Sequence, residues 1–153
     1  MRALELKFPP PIVGGLIAFG MWLVAEYPPT LAWDSTIRFV AAGLLSTVGL
    51  SIDVAGVASF MRRKTTVNPM QPGKTAALVT TGVYSISRNP MYTGFTLVLT
   101  AWGVYLSALW PLLGPVLFVL YITRFQIVPE ERMLREKFGD AFVAYSSRVR
   151  RWL

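Results

Sequence analysis

The stretch Asn89–Thr123, NPMYTGFTLVLTAWGVYLSALWPLLGPVLFVLYIT, runs for 35 residues without a charge. As one helix it is about 50 Å long at ~1.5 Å per residue. That overshoots a hydrocarbon core of about 30 Å by more than tilt absorbs. A break across 106–111, where Ser107, Trp110 and Pro111 suit a tight turn at an interface, gives two short antiparallel spans instead, 90–106 and 111–128. Polar signatures bracket the run: Arg88-Asn89-Pro90-Met91-Tyr92-Thr93-Gly94 before it, Glu130-Glu131 and Phe138-Gly139 after it. A hairpin through a bilayer returns both signatures to one membrane face. The expectation is a small integral membrane enzyme with its site at the cytoplasmic face.

Upstream, Phe8 to Ala25 is uncharged and reads as a first span, 8–25. The residues before it mix Arg2, Glu5 and Lys7, and no small-x-small cleavage pattern follows, so a membrane helix is expected in place of a cleavable signal. Glu26 to Asp34, with Pro28-Pro29 and Trp33, reads as an interfacial turn. Phe39 to Met61 carries only Asp53 and forms the second span, 39–61, stopped by Arg62-Arg63-Lys64. Thr65 to Arg88 reads as a loop with a short interfacial or re-entrant piece near 76–79. Pro129 opens a last helix, 129–147, because proline is tolerated at a first helical position. Leu134, Phe138, Phe142 and Tyr145 make its apolar stripe, Arg132, Arg135 and Lys137 lie off that stripe, and Gly139 is a place for a kink or break. The expected fold is all-α: one domain, an integral membrane bundle of about four transmembrane helices with a cytoplasmic loop and an amphipathic C-terminal helix. Of the 15 Lys and Arg residues, only Arg38 falls on the far side of such a bundle. The excess of basic residues on the other side makes both termini cytoplasmic, as in a prokaryotic inner-membrane protein.

Composition agrees with the membrane class. The 153-residue chain is 54% apolar and 15% charged, against about a quarter charged in soluble domains. There is no cysteine and no histidine. Disulfides, thiolate ligands and cysteine nucleophiles are excluded, as are the commonest general base and the commonest metal ligand. No metal is expected. The net charge of +7 flanks apolar runs without forming one basic tract, which argues for membrane orientation over nucleic acid.

Several residues stand out as candidates. Arg88 sits at the mouth of the third span, where Asn89-Pro90 favours extended backbone before a helix start. Helix-start N–H groups face anions well. Gly94 permits close approach by a ligand or a neighbouring helix. Glu130 and Glu131 favour the positive end of a helix dipole, and they point about 100° apart around a helix, so one of them faces inward, toward Arg88 or a cationic ligand. Asp53 lies about 12 Å from Met61 along the second span. It is expected to pair with an arginine or a loop threonine. The tryptophans read as interface residues.

From Leu78-Val79-Thr80-Thr81-Gly82-Val83-Tyr84 through Ser85-Ile86-Ser87-Arg88-Asn89-Pro90-Met91-Tyr92-Thr93-Gly94, and on to Pro129-Glu130-Glu131, Phe138-Gly139, Tyr145 and Arg148-Val149, the chain resembles the isoprenylcysteine carboxyl methyltransferases and the related phospholipid methyltransferases. The resemblance covers roughly residues 65–153. It implies S-adenosylmethionine as cofactor and a lipophilic substrate entering from the bilayer. It puts Gly82, Tyr84, Arg88, Asn89, Pro90, Tyr92 and Gly94 on the cofactor side, together with the acidic pair Glu130 and Glu131. It links Arg148 to the substrate end, so that Arg88 and Arg148 are the catalytic candidates, holding the donor's carboxylate or an acidic acceptor. Where the family often has histidine, this chain has Asn89, which hydrogen-bonds but does not titrate near neutral pH. Methyl transfer from a sulfonium needs no acid for its neutral leaving group, so a chain without histidine and cysteine suits it. The alternatives are an NADPH-dependent membrane reductase of comparable C-terminal layout, and a small transporter or scaffold using Asp53.

Overall fold

A computed structural model describes residues 5–62 and 77–153. The loop residues 63–76, with the first part of the piece expected near 76–79, lie outside them. The described residues are helical, with no strand: α1 Pro10–Val24, α2 Ser35–Arg62, α3 Pro90–Leu106, α4 Leu113–Ile122, α5 Val128–Phe138 and α6 Asp140–Arg148. Short 3-10 turns precede α3 at Gly82–Ser85 and α4 at Trp110–Leu112, and a π-helical turn, Thr123–Ile127, joins α4 to α5. Two helices are long and apolar enough to cross a membrane: α2, with 28 residues, and the continuous Trp110–Phe138, with 29. α1 is a shorter apolar helix. Large apolar side chains stand exposed along α1, α2 and α4, among them Leu16, Phe19, Leu44, Val54, Leu117 and Leu120. Such a surface suits lipid better than water.

α3 ends where Ser107 turns left-handed, at φ 53° and ψ 42°, and gives its N–H to the carbonyls of Gly103 and Val104. The Ser107 hydroxyl donates to the Leu31 carbonyl at 2.7 Å, and the Leu31 N–H returns a bond of 2.8 Å to the Ser107 carbonyl. The Trp110 indole N–H donates to the Pro28 carbonyl at 2.9 Å. The turn after α1 and the turn after α3 are thus sewn together at one end of the bundle. At the opposite end, the residues just before α1 meet the π turn, and the end of α2 meets the start of α3.

The α2–α3 seam is the closest in the molecule. A Cβ added to Gly94 would strike the Asp53 carboxylate and come within 2.5 Å of the Gly49 carbonyl oxygen. One added to Gly49 would come within 2.7 Å of the Gly94 carbonyl oxygen. Small residues let helix backbones approach where lipid supplies no hydrophobic drive between helices. Elsewhere Phe118, Ile122 and Ile127 form a fully buried core with Leu99 and Met21.

Pro129 does not start a new helix. The chain passes through it without a break, from α4 through the π turn into α5. A proline inside an α-helix lacks the N–H that would bond the carbonyl four residues back, and its ring crowds that carbonyl. The carbonyl in question belongs to Phe125, inside the π turn, where the wider winding relieves the crowding. Its oxygen accepts the N–H of Leu6 at 3.0 Å instead. Glu5 reinforces the join with ion pairs to Arg124 at 2.9 Å and Arg132 at 3.5 Å. The amphipathic stretch 129–147 is in turn two helices, α5 and α6. Gly139 divides them at φ 50° and ψ −125°, a conformation open to glycine alone. Phe142 and Tyr145 of α6 are buried, whereas Leu134 and Phe138 of α5 are half-buried.

Candidate functional site

At the end of the bundle where α3 begins, the chain forms an extended corner. Asn89 has φ −130° and ψ 52°, and Pro90 takes the first helical position. The C-terminal tail lies alongside. Ser87 and Arg150 form a parallel bridge. The Arg88 N–H donates to the Arg150 carbonyl at 2.9 Å, and the Asn89 side-chain amide donates to the Arg151 carbonyl at 2.9 Å. The Asn89 N–H is held by the Ser87 hydroxyl at 3.1 Å, and its carbonyl accepts the Thr93 N–H at 3.0 Å. The Asn89 side-chain amide thus fixes the tail to the corner.

Glu131 occupies the middle of this end. One oxygen meets Arg88 at 3.0 Å, and Arg151 binds the carboxylate with both fork nitrogens, Nε at 3.1 Å and Nη2 at 2.7 Å. The Arg88 and Glu131 side chains are 14% and 18% exposed, against 38% for Arg151. The hydrogen bonds it donates to Glu131 raise the Arg151 guanidinium pKa above its ordinary value. The Nε of Arg88 is buried and has no hydrogen-bond partner among the described residues.

Glu130, one residue earlier, has different company. The Tyr92 hydroxyl donates to its Oε1 at 2.8 Å, and the Gln126 amide donates to the same oxygen at 2.5 Å. Gln126 is buried because the π turn carries it inward, four residues before Glu130.

The 3-10 turn packs above this pair. Gly82 opens it with φ +66° and is exposed. Tyr84 is buried, edge-on to Phe60 with ring centroids 5.2 Å apart. Its carbonyl accepts the Tyr145 hydroxyl at 2.7 Å. Burial pushes the Tyr84 phenol well above its usual pKa, and the nearby Tyr145, Glu130 and Asp53 act in the same direction. Burial also lifts Tyr145 to about 12, against the opposing pull of the Arg88 guanidinium. Both phenols therefore stay protonated as hydrogen-bond donors at physiological pH.

Of the residues singled out in the sequence, Arg88, Asn89, Pro90, Tyr92, Glu130 and Glu131 come together, with Tyr84 and Gly94 on the adjoining walls. Gly82 lies at the rim. Arg148 is exposed, and its Nε donates to the Ala144 carbonyl of its own helix at 3.1 Å. Arg151 takes the place beside Glu131. Asp53 has one carboxylate oxygen buried without a partner among the described residues. Sequence reasoning missed Gln126 and Arg151. The Gln126–Glu130 spacing of four on a helix was a usable signal for the first. Arg151 was one of three tail arginines, and only the Ser87–Arg150 bridge beside it sets its place.

Comparison with known proteins adds family membership. A 41-residue match, 51% identical, relates the chain to an uncharacterized protein of Haemophilus influenzae. It covers 27% of this chain and 65% of that protein, just short of two thirds of its length. No solved structure matches. A model of the phospholipid methyltransferase family matches residues 37–141, more than half the chain, from α2 through the corner and the acidic pair into α6. The protein belongs to the phospholipid methyltransferase family.

Proposed function

We propose that this protein transfers a methyl group from S-adenosylmethionine to a lipophilic acceptor at the cytoplasmic face of the inner membrane. The observation that carries this is the joining of the arginine corner and the acidic pair by Glu131, clasped between Arg88 and Arg151. In this reading α1, α2, α3 and α4 cross the bilayer and both termini are cytoplasmic.

The residues present suit such a cofactor. Its amino-acid part carries a carboxylate and an ammonium, and its ribose carries hydroxyls. The buried, unpartnered Nε of Arg88 is a donor for the carboxylate. Glu130 and Glu131 are acceptors for the ammonium or the hydroxyls. Gly82, exposed at the rim, keeps backbone open to close approach, whereas Gly94 is taken up by the seam with α2. When bound, the cofactor supplies a methyl group already activated on a sulfonium. What the chain supplies is placement. Holding donor and acceptor in line contributes up to about 7–11 kcal/mol. The apolar surroundings of α2 and α3 keep water from competing as acceptor. Arg148, exposed at the end of α6, belongs to the acceptor approach in this scheme.

Labelled S-adenosylmethionine incubated with the purified protein, total membrane lipid and prenylcysteine analogues tests the proposal. Label entering an organic-soluble product supports it. Label entering none of them, from protein that is folded, contradicts it.

A further inference from the structure

We infer that Glu5 is a positioning residue: through Arg124 and Arg132 it holds the π turn, and so decides which carboxylate of the Glu130–Glu131 pair faces Tyr92 and which faces Arg88 and Arg151. The inference rests on the methyltransferase reading above for its ligand readout, and on the helical register alone for its second readout.

The turn Thr123–Ile127 is closed by a wide bond, from the Val128 N–H to the Thr123 carbonyl five residues back. Such a turn holds one residue more than the α-helix it interrupts. At about 3.6 residues per turn, one extra residue sets everything beyond it back by about 100°. In an unbroken α-helix Pro129 would take the place of Glu130, and Glu130 that of Glu131. Tyr92 would then face a proline, and its 2.8 Å bond to Glu130 would be gone. The register of α5 is therefore part of the site. Single π turns inside α-helices are rare and gather at functional sites.

The segment just before α1 grips this turn at three points. The Leu6 N–H donates to the Phe125 carbonyl at 3.0 Å. One Glu5 oxygen meets Arg124 at 2.9 Å, and the other meets Arg132 at 3.5 Å. The Glu5 side chain is 11% exposed, so its charge depends on these partners more than on water. Arg124 belongs to the turn, with its guanidinium 5.4 Å from the Phe125 ring centre, and Arg132 belongs to α5.

The spacing of the two arginines shows what the bridge measures. They stand eight residues apart. On an unbroken α-helix that step is about 800°, which leaves them about 80° apart around the axis. With the extra residue the step is about 700°, and they come within about 20° of each other. One carboxylate reaches both in the second arrangement and must give one up in the first. A buried charge that loses a partner is costly, so Glu5 opposes loss of the extra residue. Pro129 makes the wide turn tolerable; Glu5 fixes where α5 then points.

The test uses the purified full chain in detergent, as wild type, Glu5→Gln and Lys7→Gln. Lys7 is exposed in the same segment and controls for loss of a charge there. S-adenosylhomocysteine is titrated at a temperature where each variant is folded. Affinity should fall about fivefold or more in Glu5→Gln and stay within about twofold in Lys7→Gln. A merely structural role lowers the melting midpoint without that loss. The second readout needs no ligand: thermal melting of Glu5→Gln, Tyr92→Phe and the double variant. Because Glu5 acts on the Tyr92–Glu130 bond, its removal should lower the midpoint at most about half as much in Tyr92→Phe as in wild type, whereas independent sites add. Equal drops in the two backgrounds overturn the inference. So does unchanged affinity in folded Glu5→Gln when the wild type binds. A wild type that binds no S-adenosylhomocysteine contradicts the methyltransferase reading, and the melting comparison then decides on Glu5 by itself. Should Glu5→Gln fail to fold, Arg132→Gln, which keeps Glu5 paired with Arg124, carries both readouts.

Discussion

Glu130 and Glu131 are consecutive in the chain and sit in opposite electrostatic surroundings. Glu130 accepts from two neutral groups, the Tyr92 hydroxyl and the Gln126 amide. Glu131 lies between two guanidinium groups. The angular step of one residue on α5 separates them, so one carboxylate faces the helical core and the other ties the corner to the tail. Their substitutions should therefore differ in kind.

Glu131→Gln leaves Arg88 without a charged partner and frees the tail at Arg151. Breaking a well-buried pair costs about 3–5 kcal/mol. Arg151 is more exposed, and solvent screening reduces that to about 2 kcal/mol. Thermal unfolding in detergent measures the loss, and S-adenosylhomocysteine affinity should fall about tenfold or more in the same variant.

Tyr92→Phe removes one donor from Glu130 and should cost about 1–2 kcal/mol, between the ranges for neutral and charged acceptors, because burial raises the Glu130 carboxyl to about 7. Gln126→Leu removes the other. A double-mutant cycle read by denaturation should show coupling of about 0.5 kcal/mol or more, because both donors serve one oxygen. Simple additivity would mean that the two act separately.

Arg151→Ala and Arg148→Ala form a matched pair. Arg151 grips Glu131 with two nitrogens, whereas Arg148 bonds only a carbonyl of its own helix. Cofactor-product affinity should weaken at least several-fold in the first and change less than twofold in the second. Calorimetric titration distinguishes them.

Tyr145 links pH to stability. Its folded pKa of about 12 exceeds the unfolded value of about 10, so the folded state holds a proton that the unfolded state loses between those values. The stabilisation is complete below pH 10 and disappears as pH rises toward 12. Alkaline unfolding should begin in that window. In Tyr145→Phe the slope there should be shallower and overall stability lower, since the bond to the Tyr84 carbonyl is gone.

Gly94→Ala should cost more than 2 kcal/mol through overpacking, because its Cβ meets Asp53 and the Gly49 carbonyl. Gly43→Ala, which meets nothing within 4 Å, should not destabilise. Thermal melting of the two variants side by side tests the α2–α3 seam.

Much of this was legible in the residues. Apolar run length and charge deficit gave an all-helical chain, and Asn89-Pro90 marked where α3 begins. Helix geometry turned one glutamate inward, toward Arg88 or a cationic ligand; the inward one, Glu130, meets Tyr92 and Gln126 instead, and Arg88 pairs with Glu131. The passage through Pro129 was hidden, because a proline normally stops a helix. Only the tertiary contact from Leu6 to the Phe125 carbonyl, combined with a π turn, makes continuity tolerable. Arg151 was hidden for another reason: its position depends on the bridge between Ser87 and Arg150, a contact 63 residues apart in sequence, with no local signature.

Calorimetric titration of the purified wild-type protein with S-adenosylhomocysteine bears most directly on the account. One saturable site, with affinity in the micromolar range and lost in Glu131→Gln, is the predicted result. Heat indistinguishable from dilution up to millimolar ligand, with folded protein, would contradict it.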